Sequence, residues 1–278
     1  MQGTQITTEH FDIYTTVDDQ EMRDYVPRFL EACYRQYADL LTPPEGPSPR
    51  MQTYLFANQR QSAEFTRQKF PGRTDVYERI GVGGFAIEGS CVTFYTRPRY
   101  YMLRTLAHEG LHQYFGAHFK QRIPAWLNEG MATYCEGFDL QRRQPVFSPT
   151  ENSFRLNALR EALSSDALIP LTELLSTHAG EVIVQAKSRL TQTYYAQVWA
   201  LVVFLRHGAD RTYAAGFEEM LADVAAGRLT ARARAAGIAA ETPSAAVTGE
   251  AVFRAYITDD LPAFEKAYRD YMVELAFR

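Results

Sequence analysis

The stretch HEGLHQYFGAHFKQRIPAWLNEGMATYCEG (residues 108–137) carries the reading on which the rest of the chain depends. It holds two histidines four positions apart, a glutamate directly after the first, and a second glutamate 17 positions after His112. On an α-helix each residue advances about 100°, so His108 and His112 share one face and can offer ring nitrogens to one metal ion. Met102, Leu106, Leu111 and Phe115 surround the motif, so the helix over 100–118 is largely apolar. Two imidazoles and a carboxylate in such a helix need partners for their polar atoms, and a metal supplies them. Zinc suits imidazole and carboxylate ligands and in catalytic sites keeps one position open. Glu109, beside the first ligand, is then placed as a general base. An ordinary surface pair of histidines is the rival explanation.

A third protein ligand is required, and there are two candidates. His118 lies six residues after His112, the spacing of a metzincin third ligand, although that pattern needs a glycine where this chain has Phe115. Glu129 is the other. Pro124 ends the preceding segment, and a new helix from about Trp126 would point Glu129 back toward the first. A carboxylate from a second helix completes a two-histidine, one-glutamate zinc site.

HEGLHQYFG followed by WLNEGMATY resembles the gluzincin metallopeptidases, closest to the aminopeptidase-N-like branch and to bacterial peptidase-MA-like domains. The resemblance implies a thermolysin-like zincin architecture, one zinc ion on His108, His112 and Glu129, and peptide-bond hydrolysis with Glu109 as base. It also covers YYAQVWALVVFL (194–205), similar to the segment bearing the catalytic tyrosine of that branch. Tyr195 is the matching position, with Tyr194 one place away, and its phenol would stabilise an oxyanion. An ordinary core tyrosine is the alternative there. The upstream strand GGFAIEG (83–89) sits where that branch holds the substrate's free amine and carries Glu88, but it is not the family's motif, so exopeptidase specificity does not transfer. It remains a candidate edge for an extended peptide.

Around this centre the chain reads as α+β. FDIYTT (11–16) and MQTYLFA (51–57) alternate as strands, 83–96 as strand, turn and strand, and 21–41 and 60–70 carry helical spacing. Beyond Arg99 the clearest helices are 100–118, 126–137, 153–163, 193–206 and 258–277. The alanine-rich stretch 222–247 reads as a helix and a loose connection broken by Gly227, Gly237 and Pro243. The expectation is a mixed-sheet lobe over 1–140 bearing the metal-binding helices and a helical lobe over 141–278 supplying Tyr195, with zinc at the floor of a cleft between them.

The totals exclude some functions. A chain of 278 residues with net charge −4 has no electrostatic footprint for nucleic acid; a peptide or protein substrate is what the gluzincin resemblance implies. VWALVVFL (198–205) is far too short to span a bilayer. The first residues carry no basic-then-apolar signal segment, which makes the chain read as soluble and leaves cytoplasmic and exported-then-trimmed forms both open. Three widely spaced cysteines make no metal knuckle and allow at most one bridge. Of the remaining residues, His10, His178 and His207 read as surface or capping histidines. Arg155 and Arg160 read as a solvated helix face, and Cys135 as facing away from the metal. Glu136 is a candidate partner for a ligand histidine. A zinc-containing binding or scaffold module without turnover is the rival from another class.

Overall fold

In the computed structural model, described for residues 3–71, 83–87, 89–141, 144–177, 188–235 and 248–278, the chain is mixed α+β, with an N-terminal mixed sheet and a helical C-terminal part. Glu88, His178 and the end of the alanine-rich stretch (236–247) lie outside the described residues. By its internal contacts the chain divides into two units: Met1–His118 with Phe138–Phe147, and Phe119–Gly137 with Ser148–Arg278.

The first unit is organised by a five-stranded sheet. Its strands are β1 (Thr4–Thr7), β2 (Phe11–Thr15), β3 (Met51–Phe56), β4 (Gly84–Ile87) and β5 (Ser90–Phe94), in the order β1-β2-β3-β5-β4. The β2–β3 and β3–β5 pairs are parallel, while β1 and β4 are antiparallel edges. Parallel neighbours need a crossover. Helices α1 (Gln20–Leu40) and α2 (Gln59–Lys69) lie in the two crossover segments. Asp19 starts α1 by accepting from the Met22 N–H. The helical period in this segment becomes a buried stripe of Met22, Val26, Phe29, Leu30, Cys33, Tyr37 and Leu40.

Helix α3 (Arg99–His118) contains HEGLH, and three contacts fix it. The Tyr37 hydroxyl of α1 donates to the Ala107 carbonyl at 2.8 Å, and a Cβ on Gly110 would lie 2.5 Å from that hydroxyl oxygen. The glycine inside the motif is therefore what lets α1 approach this closely. Gln113, fully buried, donates to the carbonyls of Gln52 at 2.6 Å and Gly89 at 2.9 Å, tying α3 to the sheet. The Tyr114 hydroxyl donates to the Leu41 carbonyl at 2.7 Å. A hairpin, β6 (Phe138–Gln141) with β7 (Gln144–Phe147), also belongs to this unit, with the Phe138 ring 5.1 Å from Phe29. The sequence patterns marked neither that hairpin nor β1.

The second unit is helical. It contains α4 (Ala125–Cys135), α5 (Ser153–Ser164), α6 (Leu171–Ser176), α7 (Ser188–His207), α8 (Ala214–Ala225), α9 (Leu229–Ala235), α10 (Gly249–Tyr256) and α11 (Leu261–Phe277). Helix α7 is the hub: from Ala196 to Leu205 every side chain is buried. Helix α4 crosses it so tightly that a Cβ on Gly130 would meet the Val198 carbonyl oxygen at 2.8 Å and a Val202 methyl at 2.6 Å. The Tyr268 hydroxyl of α11 donates to the Gln197 carbonyl, and the Trp199 indole donates to the Pro149 carbonyl. The alanine-rich helix begins at Ala214, earlier than the expected 222, and stops at Gly227, whose φ of +70° suits glycine. No helix among the described residues is long and apolar enough to cross a membrane.

Candidate metal centre

His108 and His112 stand one turn apart on α3. Their Nε2 atoms are 3.2 Å apart, with the rings edge to face at a centroid distance of 4.9 Å. Bond lengths of 2.0–2.1 Å in a tetrahedral imidazole site imply about 3.3 Å between two ligand nitrogens, so the pair already has the required separation. One ring nitrogen of each histidine and one carboxylate oxygen of Glu129 lie within 4.8 Å of one another, a grouping able to hold a metal ion. His108 is buried and the other two are half-buried. A cation there would have two neutral nitrogen donors and one anionic oxygen donor.

Glu109 is half-buried on the same helix, and its charge adds to burial in pushing the Cys91 thiol of β5 far above its usual range.

His118 is outside the grouping. Helix α3 runs through His118 without a turn, which places that side chain about 120° around the helix from His112. Its ring packs 4.7 Å from Tyr114, and its Nε2 is 3.4 Å from the Tyr34 hydroxyl. Burial, and next the charge of His10, hold this imidazole below its ordinary pKa.

Tyr194 and Tyr195 on α7 differ in exposure. Tyr194 is fully buried, while Tyr195 is half-buried. The Arg155 guanidinium lies 5.0 Å from the Tyr195 ring centre, a cation–π distance. Arg155 corrects an expectation: it is not on a solvated face. It is buried and pairs with Glu136 through two bonds, Nε at 2.9 Å and Nη2 at 2.7 Å. Asn152 caps α5 beneath it, accepting from the Arg155 N–H and donating to the Thr133 carbonyl.

Removing one partner of a buried ion pair strands the other charge, which costs about 3–5 kcal/mol. Arg155→Met should therefore lower unfolding stability by that amount in chemical denaturation, and the double replacement with Glu136→Leu should recover much of it. A loss under about 1 kcal/mol, the range of exposed pairs, would mean that the pair is solvated.

A second cluster, Glu9, His10 and Glu31, also meets the distance condition for a metal. There Glu31 accepts from both the His10 backbone N–H at 2.9 Å and the His10 ring at 2.7 Å, and the ring stacks on Tyr34 at 3.6 Å. Its carboxylate is used in clasping β2 to α1. His207 ends α7 beside the Tyr134 hydroxyl at 2.9 Å. Cys33, Cys91 and Cys135 are buried and form no disulfide.

A family model described as a protein of unknown function (DUF1570) matches residues 102–222. No curated protein matches the chain. The chain is thus similar to that family over the span that includes His108, Glu109, His112, Glu129 and Tyr195.

Proposed function

We propose that this chain is a zinc-dependent peptidase of gluzincin type with a thermolysin-like arrangement of its metal-binding helices. The observation that carries the reading is the grouping of His108, His112 and Glu129, with Glu109 next to the first ligand on α3. Two imidazoles and a carboxylate are a donor set that zinc accepts, and the 3.2 Å between the nitrogens suits tetrahedral coordination. Zinc, when bound, supplies Lewis acidity that polarises a carbonyl and makes water acidic near pH 7.

The protein's own residues do the remaining work. Glu109 takes a proton from the water that attacks the peptide carbonyl carbon. It returns that proton to the amide nitrogen as the C–N bond breaks, so the leaving group departs as a neutral amine. Strand β4 pairs with β5 on one side and is the edge of the sheet on the other. An extended peptide can add to such an edge through backbone hydrogen bonds. Tyr195 donates its phenolic proton in a hydrogen bond to the oxyanion.

Turnover of a mixed peptide library, followed by mass spectrometry, tests the reading. Cleavage that disappears with a chelator and returns with zinc is expected. A zinc-loaded protein that cleaves nothing in the pool would instead favour a binding module. The tyrosine has its own test. A bond made only to the oxyanion stabilises the transition state more than bound substrate, so its loss falls on kcat. Tyr195→Phe should lower kcat by about 10²–10³-fold, the usual cost of one oxyanion donor, with KM and zinc content unchanged. Full activity in the Phe variant would remove Tyr195 from the mechanism and bring Tyr194 forward.

A further inference from the structure

We infer that Tyr194 is a positioning residue for the metal centre: with zinc bound, its hydroxyl donates to the Glu129 carboxylate and holds that carboxylate in its ligating orientation. The inference rests on the metal site proposed above and goes beyond it.

The Tyr194 side chain has no exposed surface, and its hydroxyl has no hydrogen-bond partner among the described residues. A buried hydroxyl without a partner costs about 1–3 kcal/mol, so such a group calls for an explanation. The packing of α4 on α7 offers one. Val198 and Val202 face Gly130 across the tight helix crossing. Residues four apart on a helix share a face, so Tyr194 continues that stripe by one turn, on the side of α7 turned toward α4. Glu129 is the neighbour of Gly130. The electrostatics agree: burial raises the Tyr194 phenol far above its ordinary range, and the Glu129 carboxylate adds to the rise. A neutral phenol beside a carboxylate is a donor beside an acceptor. Ligating carboxylates are commonly held by such an outer hydrogen bond.

This separates the two neighbouring tyrosines. Tyr195, half-buried, is left to face substrate, and Tyr194 supports a ligand from behind.

The test is zinc affinity, measured by competition with a chromophoric chelator on wild type, Tyr194→Phe and Tyr195→Phe, with melting temperatures of the metal-free proteins. Tyr194→Phe should weaken zinc binding about 10–100-fold, the usual cost of an outer partner. Its metal-free form should melt no lower than wild type, because the phenyl ring keeps the packing and sheds an unsatisfied hydroxyl. Tyr195→Phe should bind zinc as wild type does. Unchanged affinity in Tyr194→Phe would overturn the inference while leaving the metal site intact. Weakened affinity accompanied by a lower metal-free melting temperature would reduce Tyr194 to a packing residue and overturn it as well. A wild-type protein that takes up no zinc would remove both the site and its support.

Discussion

Glu129→Ala should leave the purified protein unable to retain zinc at concentrations that saturate wild type, while His118→Ala retains it. The loss should exceed the 10–100-fold typical of an outer partner, because a direct ligand and the only anionic donor of the set are removed. The contrast follows from helix geometry. The two histidines and Glu129 offer ligand atoms within 4.8 Å of one another. His118 sits at the end of an unbroken helix against Tyr34 and Tyr114. Recruiting it would mean unwinding the last turn of α3 and giving up its packing on the Tyr114 ring and its 3.4 Å approach to the Tyr34 hydroxyl. If the His118 replacement strips the metal and the Glu129 replacement does not, the gluzincin assignment is wrong.

Glu109→Gln should keep the fold and the zinc and lower peptide hydrolysis by about 10²–10⁴-fold, the usual contribution of a general acid–base group. The amide is isosteric but cannot accept the proton of the attacking water at neutral pH. Glu109 lies outside the group of candidate ligands, so metal content should stay at the wild-type value. Parallel measurements of zinc content and kcat/KM check this. A variant that loses zinc as well would make Glu109 a ligand, and one that keeps full turnover would leave the base elsewhere.

Much of this site is legible in the amino-acid sequence, because its residues are tied to local spacing. Two histidines at i and i+4 in an apolar helix, and a glutamate shortly after the Pro124 break, need only helical periodicity to be placed. The resemblance to gluzincins then chooses Glu129 over His118. The strands β2, β3, β4 and β5 and helices α1, α3 and α11 are readable for the same reason: each has its own apolar alternation or stripe. What escapes is whatever depends on long-range partners. Arg155 reads as a solvent-facing charge and Glu136 as a candidate partner for a ligand histidine until α5 and the end of α4 come together and pair them across 19 positions. The hairpin FDLQRRQPVF is polar and short, and its burial rests on Phe138 packing against Phe29, 109 positions away in the chain. Gly110 reads as a spacer in the motif, and its need for closeness to Tyr37 is visible only in three dimensions. Tyr194 and Tyr195 are adjacent letters, and only the packing of α7 makes one fully buried and the other half-buried.

X-ray absorption at the zinc edge of protein loaded with one equivalent of metal tests the central claim most directly. The account predicts two imidazole nitrogens at about 2.0–2.1 Å and light oxygen donors at about 2.0–2.2 Å, with the protein oxygen lost in Glu129→Ala. Three imidazoles, sulfur scattering at about 2.3 Å, or no stoichiometric zinc at all would contradict it.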